Sequence, residues 1–201
     1  KSSHLNAHEI GDAFVVMHSG NIGHAQDLDS LVRAATFLRD VDSLRIVIAG
    51  FGARHAELTA LARRLEVTSA VRFLPYQPRE VLAQSLSSAD LHFVGLAKGL
   101  SGFVVPSRIY GILAAGRPVL VAADEDSETV RIVRDAGCGL VLPPGRPDLV
   151  AGAIRDAVDG GRALAGMGDA GRAYVVREAD REIAFARYRR LVWETLASSS
   201  R

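Results

Sequence analysis

Short apolar runs rich in β-branched residues alternate along the chain with longer segments in which apolar positions recur every three or four residues. The first pattern is that of strands buried on both faces. The second is that of helices with one face turned inward, so the alternation predicts a parallel sheet flanked by helices. Strands are expected at Phe14 to His18, Arg45 to Ala49, Val71 to Leu74, Asp90 to Val94, Val119 to Ala122 and Gly139 to Leu142. Helices are expected at Asp27 to Leu38, Ala53 to Leu65, Arg79 to Ser85, Ser107 to Ala115, Glu128 to Ala136 and Asp148 to Val158. The fold class is therefore α/β, a Rossmann-like doubly wound parallel sheet of six strands.

After the last strand the pattern turns helical, with an Arg/Ala-rich stretch from Gly161 to Val176 and a final amphipathic helix from Asp180 to Leu196. On the latter, Ile183, Tyr188, Leu191 and Val192 are placed to form an apolar face, which caps the sheet or reaches for another domain. The opening KSSHLNAHEIGD is polar and non-periodic, as a linker would be. The expected division is residues 1–12 as linker or boundary, 13–160 as a ligand-binding domain and 161–197 as C-terminal helices.

Composition narrows the partners. Among 201 residues, 24 basic side chains face 23 acidic ones, and no Lys/Arg cluster interleaves with aromatics, so no nucleic acid is expected as a partner. The single cysteine, Cys138, excludes an internal disulfide or a cysteine-based metal cluster and reads as a small buried hydrophobe. The N-terminal residues carry no secretory pattern, so a cytoplasmic location is expected. No apolar run approaches the ~18 to 20 residues that span a bilayer, which leaves any membrane association peripheral.

Open α/β sheets bind ligands outside the carboxyl ends of their strands. There the chain carries SGNIGHAQD, GFGARH, PYQPRE and GLAKGLSGFVVPSR after strands one to four. Gly20, Asn21 and Gly23 make either a tight turn or a close backbone approach to a ligand, and match neither the dinucleotide fingerprint nor the P-loop. Gly50 and Gly52 are likewise a turn or an opening. Tyr76 and Gln77, between two prolines, form a shelf for a base or a cap over the core. Asp124, Glu125, Asp126 and Glu128 could accept hydrogen bonds from sugar hydroxyls, or Asp126 or Ser127 could simply cap the next helix.

The segment PSRIYGILAAGRP, from Pro106 to Pro118, is the most pointed. Arg108 in a first helical turn opposes the usual preference for acidic residues there, which suggests a bound anion such as phosphate, or a pairing with Glu125 or Glu128. The histidines lack metal-ligand spacing, and His24 alone sits in a candidate phosphate loop. No Ser-His-Asp or Cys-His arrangement can be assembled.

The strings FVVMHSGNIGHAQDLDSLVRAA, IAGFG, VRFLPYQP, VPSRIYGILAAGRPVLV, DSE, CGLVLPPGRPDLVAGAI and MGDAGRAYV occur in that order. Together, from about Phe14 to Tyr188, they resemble the C-terminal, donor-binding half of a GT-B glycosyltransferase of family 4, of the bacterial O-antigen, capsule and colanic-acid type. The resemblance implies that this domain holds a nucleotide diphosphate sugar (a UDP-, GDP- or dTDP-sugar). The glycosyl group would pass to a lipid-linked or polysaccharide acceptor on an N-terminal domain, at the inner face of the cell membrane.

By the same resemblance Gly20, Asn21 and Gly23 would face the diphosphate, Tyr76 and Gln77 would lie by the base, Ser107 and Arg108 would neutralise phosphate charge, and Gly50 and Gly52 would line the cleft. The family transfers with retention and generally without a metal, and no cofactor is implied. Asn21 and Gln26 stand where many relatives carry an arginine and a lysine, which shifts the charge burden to Arg108 or Lys98. The two family glutamates fall on Phe103 and Gly111, neither acidic, with Glu128 as the substitute. Two further readings are a sugar-nucleotide epimerase of similar fold and a non-catalytic nucleotide-binding or scaffold domain.

Overall fold

Val15, Val16, Met17, Val47 and Val121 are fully buried, and their β-branched or long apolar side chains suit strands sandwiched between helices. A computed structural model describes residues 10–160 and 164–199. Its strands are β1 (Phe14–Ser19), β2 (Leu44–Ala49), β3 (Val71–Leu74), β4 (Leu91–Gly95), β5 (Val119–Ala122) and β6 (Gly139–Leu142). Each lies within one residue of its expected bounds. They form a single parallel sheet in the order β3-β2-β1-β4-β5-β6. Strand order reverses between β1 and β4, so a crevice opens beyond their carboxyl ends. β1 pairs with β2 over the whole of Phe14 to Ser19, but with β4 only through Val16–Leu91 and Met17–His92.

The helices are α1 (Leu28–Ala34), α2 (His55–Arg64), α3 (Arg79–Ser87), α4 (Arg108–Ala114), α5 (Glu128–Ala136), α6 (Pro147–Val158), α7 (Leu164–Glu178) and α8 (Arg181–Ser199). α1 ends before the expected Leu38 because the chain tightens into a 3-10 turn at Ala35–Phe37, where the Thr36 hydroxyl donates to the Arg33 carbonyl at 2.8 Å. α2 starts after the expected Ala53 because the Arg54 amide is drawn to the Ile22 carbonyl at 3.0 Å. α5 matches its expected bounds and is capped by Ser127, whose hydroxyl accepts from the Val130 amide at 3.3 Å. The expected start of α7 at Gly161 lies outside the described residues.

Side chains alternate across the sheet. Val16, Ile46 and Ile48 point into a cluster shared with Leu31, Leu58 and Ile154 from α1, α2 and α6. On the opposite face Val94, Val119 and Val121 pack with Ile109, Leu113, Val130 and Cys138. Burial pushes the Cys138 thiol up to about 11, which suits a small core residue and not a reactive one. Residues 1–9 of the expected linker lie outside the described residues. Ile10 is buried among Val15, Met17 and Val47, so the end of that segment is anchored to the sheet.

The apolar face expected on the last helix does not cover the sheet: Tyr188, Leu191 and Val192 are exposed, as is Trp193. Among the described residues no helix is long and apolar enough to cross a membrane.

Candidate functional site

The loop after β1 is fixed by its neighbours. The Gly20 amide donates to the Ala49 carbonyl and the Ile22 amide to the Phe51 carbonyl, both at 2.9 Å, and the Ala97 amide reaches the Ala25 carbonyl at the same distance. The Gln26 side chain, buried, closes the turn by accepting from the Gly23 amide at 3.0 Å. The approach of the β2 loop to this turn demands glycine. Gly50 has φ +143°, and a Cβ there would stand 1.9 Å from the Gly20 oxygen; at Gly52 a Cβ would stand 2.2 Å from the Ile22 oxygen. Both glycines therefore serve backbone-to-backbone packing beneath the first loop.

Above this platform lies a cavity of about 560 Å³, a size suited to a nucleotide-scale ligand. It brings together Gly20, Asn21 and Gln26 from the first loop, Tyr76 from the third, and Ser107 and Arg108 at the start of α4. Gly111, one turn along α4, also faces it. Tyr76 is 63% exposed, so its ring stands at the rim and not over the core.

The remaining expected residues lie elsewhere and are not among the cavity's lining. Gly23, Gly50 and Gly52 shape the loops below it. Gln77 is buried, with its amide nitrogen donating to the Pro75 carbonyl at 2.8 Å. Lys98 is exposed on a loop whose Gly99 amide is held by the Asp124 carboxylate at 2.6 Å. Glu128 pairs with Arg131 on its own helix.

The electrostatics centre on Arg108. Its guanidinium enters the crevice from α4, partly buried, and no carboxylate among the described residues pairs with it. The acids proposed as partners are committed elsewhere, Glu125 to Arg134 at 2.5 Å and Glu128 to Arg131. Desolvation lowers the Arg108 pKa to about 10, which still leaves it charged at neutral pH. α4 has only seven residues, so its dipole adds little and the local positive field comes from the side chain.

Arg108 rests on His18, the fifth residue of β1. Its Nη1 lies 2.9 Å from Nδ1 and 2.8 Å from Nε2 of the imidazole. His18 is fully buried, and its Nε2 lies 3.2 Å from the Asn21 carbonyl. Burial first, and then the nearby Arg108 charge, push its pKa down to about 3, so the ring is neutral. Sequence reasoning missed His18 and favoured His24, which is exposed and outside the cavity lining. The available signal was a lone polar residue inside an otherwise apolar buried strand, at the end where the ligand loops begin.

A family model described as Glycosyl transferases group 1 matches residues 2–174. The chain is 29% identical over 145 residues, 72% of its length and 35% of the relative's, to WcaI of Escherichia coli, a protein named for glycosyl transfer in colanic acid biosynthesis. It thus spans about a third of the length of the curated relatives it matches. Among solved structures, HepE of Anabaena in complex with UDP-glucose superposes with a TM-score of 0.79 at 19% identity, covering 98% of this chain and 52% of that one. The C-terminal domain of LpcC, a group 1 glycosyl transferase of Francisella tularensis, superposes with a TM-score of 0.72 at 14% identity, covering 88% of this chain and 91% of that domain. Both likenesses establish a shared GT-B-type half fold.

Proposed function

Since the chain belongs to the glycosyl transferases group 1 family, we propose that it is the donor-binding, C-terminal half of a retaining, family 4 glycosyltransferase. The donor is a nucleotide diphosphate sugar, held in the cavity between the β1 loop and α4. The observation that carries this reading is Arg108, a partly buried guanidinium facing a cavity of about 560 Å³ with no carboxylate among the described residues to neutralise it. A diphosphate supplies the missing charge, and a guanidinium binds it through charge-assisted hydrogen bonds.

In the reaction the bond between the anomeric carbon and the diphosphate oxygen breaks, and negative charge grows on the leaving group. Arg108, Ser107 and the Gly20–Asn21 segment, which line the cavity, would stabilise that charge. Tyr76 at the rim offers its ring to the base. The acceptor, a lipid-linked or polysaccharide glycan of the cell surface at the inner membrane face, would come from an N-terminal domain. The relatives, about twice as long as this chain, and the match to an isolated C-terminal domain support that division.

Titration calorimetry with UDP, GDP and dTDP tests the reading. The chain should bind at least one diphosphate, and Arg108→Ala should weaken that binding by about 1.5 to 3 kcal/mol, the scale of a hydrogen bond to a charged group. A folded sample that binds none of the three at millimolar concentration overturns the proposal. An Arg108→Ala variant with unchanged affinity removes Arg108 from it and favours a scaffold role.

A further inference from the structure

Arg108 is held by a neutral group, not by an acid. Of the side chains around it, the closest polar contact is the His18 imidazole, with Nη1 2.8 Å from Nε2 and 2.9 Å from Nδ1. Near-equal distances to both ring nitrogens place Nη1 over the face of the neutral imidazole, while Nε2 lies 3.2 Å from the Asn21 carbonyl and the Phe93 carbonyl also bonds the ring. The guanidinium also packs against Gly20, where a Cβ would stand 3.5 Å from Nη1. The contact joins residues 90 positions apart, across the seam between β1 and α4.

The choice of partner has a chemical consequence. A carboxylate in place of His18 would pin the guanidinium equally well but would cancel the charge a phosphate needs. An apolar residue would leave the charge intact and the long side chain unheld, free to sample other rotamers. A buried neutral imidazole fixes direction without neutralising. It also links that direction to the Asn21 carbonyl, and so to the loop that forms the cavity's other wall.

We propose that His18 is the positioning residue for the anion site: as a neutral ring packed against the guanidinium it aims Arg108 at the diphosphate of the donor and ties it to the Asn21 turn. This rests on the nucleotide-sugar reading above, with His18 acting through Arg108 and not on the ligand itself.

The test measures binding of UDP, GDP and dTDP, and of the matching nucleosides, to the parent chain and to His18→Leu, His18→Gln and the double variant His18→Leu/Arg108→Ala. The leucine change should weaken the diphosphate tenfold or more and leave nucleoside binding unmoved. Glutamine, a neutral planar side chain, should restore affinity to within about threefold. In the Arg108→Ala background the leucine change should have no further effect, since coupled residues are not additive. Folded His18→Leu with parental diphosphate affinity, an equal loss of nucleoside, or full additivity with Arg108→Ala overturns the proposal.

Nitrogen NMR of the parent chain decides the matter independently of whether His18→Leu folds. His18 should show a neutral ring at pH 6, and its nitrogen resonances should move on addition of the diphosphate but not of the nucleoside. A ring carrying a positive charge at pH 6, or one unmoved by a diphosphate that binds, sinks the assignment. A parent chain that binds no diphosphate defeats the functional reading instead, and the ring's charge state still tests the His18–Arg108 pairing.

Discussion

Lowering the pH from 7.5 to 5 should remove about 4 kcal/mol of folding stability, because two imidazoles are buried uncharged. His18 is held down to about 3, by burial first and then by Arg108, and His92 to about 4, by burial and then by Arg117 against the help of the Leu86 carbonyl. His92 is fully buried on β4, with Nε2 2.9 Å from the Leu86 carbonyl and no hydrogen-bond partner for Nδ1 among the described residues. In the unfolded chain both return to the ordinary value of 6.5. The folded values lie below the unfolded ones, so the unfolded state takes up the protons. Stability is complete above pH 6.5 and falls as the pH drops toward the folded values.

Each group costs about 1.4 kcal/mol per pH unit, hence about 2 kcal/mol by pH 5. The acids with strongly lowered pKa, Asp40 and Asp148 at about 2, remain ionised in this window and do not contribute to the slope. Urea unfolding at a series of pH values should show an uptake of nearly two protons between pH 6 and 5, and of nearly one in His18→Gln. A midpoint independent of pH would mean that the imidazoles are not buried neutral in the folded chain.

Gly50→Ala should be comparably costly, about 4 kcal/mol, although the change adds a single methyl group. Two penalties combine. At φ +143° a non-glycine residue is strained by about 1 to 3 kcal/mol, and the new Cβ would stand 1.9 Å from the Gly20 oxygen, forcing backbone apart where no flexible side chain can yield. The displaced element is the loop that carries Gly20 and Asn21, so diphosphate binding should weaken together with stability. Thermal or urea unfolding combined with calorimetry checks both. Gly145→Ala is the control: φ there is +73°, but a Cβ would meet nothing within 4 Å, so only the strain should appear.

Strand and helix positions were legible because each is written locally. Near-continuous apolar runs such as FVVMHS and LRIVIA are what a sheet buried on both faces imposes, and the Ser127 cap marks the start of α5 to the residue. Six expected site residues converge on one cavity for a related reason: ligand loops follow strand ends, and strand ends could be read. What could not be read were the long-range choices. Periodicity does not say that β1 neighbours β4, so the contact of His18 with Arg108 had no local trace. Nor does composition reveal which glycine faces a ligand and which faces backbone. Gly50 and Gly52 were expected at the cleft, yet their missing side chains make room for the carbonyls of Gly20 and Ile22. Glu128 was assigned a ligand role from its position after β5, and an arginine one turn along its own helix holds it instead.

The short pairing of β1 with β4 makes the sheet mechanically uneven. Backbone amides along the β1–β2 ladder are shielded over six consecutive pairs, whereas only two pairs join β1 to β4, so solvent exchange should report a weaker seam at the latter. That seam runs directly beneath the cavity, whose walls come from one side through Gly20 and from the other through Arg108. A ligand touching both walls works as a clamp across the two halves of the sheet, and its affinity should reappear as slowed deuterium uptake in β4, several residues from any atom it touches.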